Sequence, residues 1–192
     1  MSKRVYVSAD WKDSGDLHSC DKTVVDRIRK WKNDSRYGVD ITCTDDVHNS
    51  VTKNPDCRRC DIKDECGKFI SSSNVIIFVV GDNTESKRAG LCDGISCSPA
   101  YSGLNKRYCK RLFNDSISNS MSYLQYEITS AVKAGKSIIV VYNSVYRQEN
   151  WIPGWYNTLL RDYTVNELCR IAFWKDSNHI SDCYQDIKSY LL

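Results

Sequence analysis

Glu127 is the residue whose surroundings most directly suggest chemistry. It lies in the stretch Ser122-Tyr123-Leu124-Gln125-Tyr126-Glu127-Ile128. It stands beside Ile128 and three residues after Leu124, at the border of an apolar helical stripe and off the solvated face. A carboxylate there is costly unless it is paired or used. Two readings stay open: a glutamate at the edge of the core, and a carboxylate put to chemical work.

The cysteines form a second group. Cys57 and Cys60 make a CxxC followed by Cys66, and Cys92 and Cys97 make a looser pair followed by Cys109. Thiolates paired at short intervals suit tetrahedral zinc, so Cys57, Cys60, Cys92 and Cys97 are a candidate structural zinc set. Free or redox-active thiols are the competing reading, because the second pair is not CxxC and six cysteines exceed four ligands. Cys20, Cys43, Cys169 and Cys183 fall near predicted elements and read as packing. The CxxC does not directly follow a strand and open a helix, which argues against a thioredoxin-like role. His18, His48 and His179 are far apart and read as surface residues. The chain lacks GxGxxG, GxxxxGK[ST], HExxH and GxSxG, so the common phosphate-cradling and hydrolase motifs are absent.

Elements that could position these residues follow from periodicity. Arg4 to Ser8 is β-branched and aromatic, hence a first strand. Val24, Val25, Ile28 and Trp31 recur at helical spacing. Val39 to Thr42 reads as a short strand, and Phe69 and Ile70 close a short helix before Ser71-Ser72-Ser73. Asn74 to Val80 is a continuous apolar run, as expected of a parallel strand buried on both faces. Leu124, Ile128, Ala131 and Val132 predict a helix stopped by Gly135. Ser137 to Tyr142 is a further buried strand, Leu168 to Trp174 a fifth, and Ile180, Tyr184, Ile187 and Leu191 a closing helix. This alternation predicts a single α/β domain over residues 1–192, with helices on both faces of a parallel sheet. Ligands in such sheets bind beyond the carboxyl ends of the strands. Candidate contacts are therefore Ser8 to Asp13, Asp82 to Thr84, and Asn143-Ser144. Two long polar, cysteine-bearing segments, 44–65 and 85–118, read as loop insertions.

Composition narrows the function classes. In 192 residues there are 27 Lys+Arg against 24 Asp+Glu, a net charge of +3 with no concentrated basic stripe, which argues against nucleic-acid binding. The longest apolar run, Val75 to Val80, is far too short to span a membrane. No apolar h-region follows the first charges, so a soluble, cytoplasmic protein is expected, and with it reduced cysteines.

In order, the segments RVYVSADWKD (4–13), SSSNVIIFVVGDNTES (71–86) and SYLQYEITSAVKAGKSIIVVYNS (122–144) resemble a TIR-like domain, closest to the branch that includes a bacterial Thoeris defence protein. The likeness implies a flavodoxin-like or TIR-like three-layer fold around a five-stranded parallel sheet. It puts Glu127 in the place of the glutamate that is catalytic in NAD-cleaving TIR domains. It implies an NAD glycohydrolase or ADP-ribosyl cyclase that releases nicotinamide. The product would be ADP-ribose or a cyclic ADP-ribose-type signal, read by a downstream effector in antiphage defence. Ser8 and Trp11, Asp82 and Asn143 are then the expected substrate contacts, Trp11 by stacking on a base. The alternative from another class is a non-catalytic TIR-like scaffold acting through self-association or a TIR-type partner.

Overall fold

The computed structural model describes residues 3–9, 20–32, 34, 39–43, 46–47, 59–82, 84, 121–165, 168–174, 187 and 190–191. Five strands, β1 (Lys3–Ser8), β2 (Val39–Cys43), β3 (Val75–Val80), β4 (Ser137–Tyr142) and β5 (Cys169–Phe173), form one sheet in the order β2-β1-β3-β4-β5. Every pairing is parallel. The helices are α1 (Cys20–Lys32), α2 (Arg59–Ser72), α3 (Tyr123–Lys133) and α4 (Gly154–Val165), the last preceded by a 3-10 turn, Glu149–Trp151. The all-parallel sheet agrees with the alternation, and its order is flavodoxin-like, as the resemblance implied, with the reversal of winding between β1 and β3.

β3, VIIFVV, is buried at all six positions because it is central and covered on both faces. The edge strands β2 and β5 alternate buried with more open positions. Two apolar layers result. Val5, Val7, Ile77, Val79, Ile139 and Val141 face α1, which contributes Val24, Val25, Ile28 and Trp31, and Ile187 and Leu191 complete that layer. Ile76, Phe78, Ile138, Val140 and Tyr142 face α2, α3 and α4, meeting Ile62, Ile70, Leu124, Ile128, Tyr156 and Leu160. Phe78 stacks on Tyr156 at 5.3 Å, and Trp31 lies 6.1 Å from Trp174 between ring centroids.

The structure corrects the expected segmentation in two places. Segment 44–65 is not one loop: Asp46-Val47 is helical and α2 begins at Arg59, so the expected short helix near Phe69 runs for 14 residues. Cys66 accordingly belongs to the core of α2 and not to a loop. In addition, α4, to which the sequence reading assigned no element, fills the β4–β5 connection. Segment 85–118 lies outside the described residues. Among the described residues, no helix is long and apolar enough to cross a membrane.

Candidate active site

Alternation along β1 sends Val5 and Val7 to the α1 layer and Tyr6 and Ser8 to the opposite one. Both residues are 0% exposed, with Ser8 closing the strand at its carboxyl end. The other half of the site comes from α3. Ser122 caps this helix, its extended backbone (φ −63, ψ 166) letting Oγ accept from Gln125 N at 3.2 Å. Gly135 ends it with φ 63, a conformation disfavoured for any residue with a Cβ. Within α3, Leu124, Glu127, Ile128 and Ala131 are the buried residues.

Glu127 is 1% exposed, so it lies inside the core rather than at its border. Tyr6 Oη donates to Glu127 Oε1 at 2.9 Å, and Ser8 Oγ donates to Oε2 at 2.5 Å. The two hydroxyls bond the carboxylate oxygens where water is excluded, offsetting much of the cost of burying them. The Cys66 thiol, buried on α2, completes the cluster beside Tyr6 and Glu127. Burial first, and the negative charge of Glu127 second, push that thiol far above its ordinary range, so it stays protonated.

One helical turn along both helices lies Lys63, an ammonium that is only 1% exposed. Its Nζ donates to the Met121 carbonyl at 2.6 Å and stands 5.9 Å from the Tyr123 ring centroid. Lys63 thus ties α2 to the lead-in of α3. Gly67 permits the same close approach further along, since a Cβ there would lie 3.0 Å from Tyr126 Oη. An open groove of about 930 Å3 runs over this helix pair and includes Gly67, Ser71, Tyr126 and Ser130 in its lining, but not Glu127.

Of the residues singled out from sequence, Glu127 and Ser8 are in direct contact. Asp82 sits exposed in the turn after β3. Asn143 follows β4 and is 4% exposed, with its backbone N–H on the Val80 carbonyl at 2.9 Å. Strand alternation turns its side chain toward the α1 layer, opposite Glu127. Trp11, Cys57, Cys92 and Cys97 lie outside the described residues, and of Cys60 only the backbone, in α2, is described. Among the described residues there is no group of three or more His, Cys, Asp or Glu that could hold a metal. Sequence reasoning missed Tyr6, Lys63 and Cys66. The only signal for the last two was their spacing with Ile62 and Ile70 along one helix face.

No protein-family model matches the chain, and no curated protein matches it. Among solved structures, the chain is similar to the Clostridium botulinum CMP N-glycosidase BcmB at 14% identity, covering 98% of this chain and 99% of that one, with a TM-score of 0.49. It is also similar to a 2-deoxyribosyltransferase from the psychrotolerant bacterium Bacillus psychrosaccharolyticus at 10% identity, covering 95% and 94%, with a TM-score of 0.45.

Proposed function

We propose that the chain cleaves the N-glycosidic bond of a nicotinamide dinucleotide, with Glu127 as the catalytic carboxylate. The observation that carries this reading is the buried Glu127 carboxylate, held by Tyr6 and Ser8 where β1 ends. That end of β1 borders the β1/β3 crevice, the usual ligand position in sheets of this order. The order of the β1, β3 and α3 segments, which resembles a TIR-like domain, favours NAD as the substrate.

Breaking the bond between ribose C1′ and the nicotinamide nitrogen develops oxocarbenium character at the sugar. The bonding electron pair leaves with nicotinamide, already a cationic leaving group, so no strong general acid is required. A carboxylate fixed in a low-dielectric site stabilises the developing positive charge more than water does, and with no reorganisation during the reaction. Tyr6 and Ser8 hold it in place, and Cys66 walls the site with a neutral thiol. C1′ then bonds to a water oxygen, giving ADP-ribose and a proton. In the cyclic alternative it bonds to an adenine nitrogen of the same molecule, with the same loss of nicotinamide.

The test is incubation of concentrated purified protein with NAD, read by mass spectrometry, with Glu127→Gln alongside. Nicotinamide release that falls at least about 10²-fold in the variant, whose melting temperature stays within a few degrees, is the expected result. The burial of Glu127 also favours a second reading, in which it is a structural post fastening α3 to β1 in a non-catalytic, self-associating module. No turnover by the wild type, together with a large drop in melting temperature for Glu127→Gln, would replace the first reading with the second.

A further inference from the structure

Lys63 is a buried cation for which the glycosidic step above has no use. It lies on α2 at 1% exposure, on a helix face that otherwise buries Ile62, Cys66 and Ile70. Burying an ammonium is costly, and an apolar side chain of similar length would serve packing at least as well. What the ammonium adds is direction. Its Nζ donates to the Met121 carbonyl at 2.6 Å, one residue before the Ser122 cap of α3.

The helix pair carries a second tie of the same kind. α2 and α3 run side by side and parallel, each crossing back from the carboxyl end of one strand to the start of the next. Beyond the end of α3, Lys136 Nζ donates to the Ser71 carbonyl in the last turn of α2, also at 2.6 Å but in an exposed setting. The two bonds are alike in donor, acceptor and length, and they differ in place. Lys63 is one helical turn from Cys66, and Met121 lies within about two turns of Glu127, whereas the Lys136 tie is at the opposite end of both helices. Leu124, Ile128 and Ala131 hold α3 against the sheet, but apolar contacts are non-directional and set its position along its own axis less sharply than a hydrogen bond does. The Lys63 bond fixes that axial position at the end nearer Glu127. A slide of about 1 Å there takes the carboxylate out of good geometry with Tyr6 and Ser8.

We propose that Lys63 is a positioning residue: through the Met121 carbonyl it sets the axial position of α3 and thereby the aim of Glu127 at the scissile ribose. This rests on the glycosidic reading above, and one readout of the experiment does not need turnover. The full chain is compared as wild type, Lys63→Met, Lys63→Gln, Lys63→Arg and Lys136→Met. The glutamine keeps a polar group whose donor stops one bond short, so the test does not hang on one variant folding. NAD turnover and melting temperature are measured for each. The infrared carboxylate band of Glu127, isolated as the difference from the same protein carrying Glu127→Gln, is recorded in parallel.

The expected result is a kcat about 10- to 10²-fold lower in Lys63→Met and Lys63→Gln, as for a reacting group displaced by about 1 Å, with KM within about twofold. Their Glu127 band is displaced, while Lys63→Met melts within a few degrees of the wild type, because an apolar chain replaces a buried charge. Lys63→Arg, which keeps a charged donor, recovers the band and part of kcat. Lys136→Met leaves both unchanged. A Glu127 band unmoved in Lys63→Met and Lys63→Gln would overturn the proposal. Equal losses of kcat in Lys63→Met and Lys136→Met, or loss of folding in both Lys63→Met and Lys63→Gln, would make Lys63 a brace for the fold and overturn it too. A band that moves with Lys63 in a protein that does not cleave NAD would leave the positioning role standing and remove the glycosidic reading. NAD cleavage with kcat and band both indifferent to Lys63 would do the opposite.

Discussion

The two faces of the sheet are made by the same strands, yet they carry different kinds of side chain. Toward α1, β1 presents Val5 and Val7, which join a layer of Val, Ile, Ala, Leu, Trp and one cysteine. Toward α2 and α3, the same strand presents Tyr6 and Ser8, which meet Glu127, with Cys66 and then Lys63 beyond. The period of two along a strand therefore separates two tasks one residue apart. One layer supplies burial almost wholly through apolar side chains. The other holds a carboxylate, two hydroxyls, a thiol and an ammonium whose bonds must be made inside the protein. A face so built is costly to fold and is suited to electrostatic work, because its charges cannot be screened by water.

Converting the second face into a copy of the first is the largest perturbation. The triple variant Tyr6→Phe/Ser8→Ala/Glu127→Leu should lose at least about 10³-fold in NAD turnover. It should nevertheless melt above Glu127→Leu alone, which strands two buried hydroxyls at a cost of about 1–3 kcal/mol each. Paired turnover and calorimetric measurements check both statements. A triple variant that kept activity would erase the distinction between the faces.

Ile77→Ala, on the apolar face, should cost about 2–5 kcal/mol in urea unfolding, with kcat within twofold where the protein is folded. Tyr6→Phe should cost less, about 1–3 kcal/mol of stability, with roughly a tenfold loss in kcat from a misheld carboxylate. The smallest effect concerns pH. The raised Cys66 thiol titrates in the unfolded chain near its ordinary 9.0 but not in the folded protein until far higher. Its stabilising contribution is thus complete below pH 9 and is lost as pH rises past it, by up to about 1.4 kcal/mol per unit. Melting temperatures between pH 8 and 11 should fall less steeply in Cys66→Ala. Tyr142 and Tyr156, both raised by burial, add the same trend above about pH 10 in either protein.

The apolar runs of β3 and β4 announce themselves in sequence because their burial needs no partner of special type. The Leu124–Ile128 stripe with Gly135 is equally plain. By contrast α2 begins among Arg59, Cys60, Asp61, Lys63 and Asp64, and its buried line depends on counting Cys66 as packing between Ile62 and Ile70. Grouping Cys66 with the loop cysteines breaks that line. In α4, Tyr156 and Leu160 are four apart, but Pro153-Gly154 directly before them reads as a turn. Glu127 could be picked out through its place beside Ile128, and Ser8 through its place at a strand end. Tyr6 could not, because a tyrosine in a strand is ordinary and only the assembled layers bring its hydroxyl to a carboxylate.

The bonds from β1 to Glu127 join residues 121 and 119 positions apart. A ribosome makes Tyr6 and Ser8 at the start and their acceptor only after β3 has been made. Until then, two hydroxyls destined for the interior have only water to bond, which holds the central strand back from docking on its second side. The first part of the α1 layer, from β1, α1 and β2, meets no such delay, although Ile139, Val141, Ile187 and Leu191 join it later. Synthesis thus favours an order in which the apolar half begins to gather first and the bonds to Glu127 form only once α3 arrives.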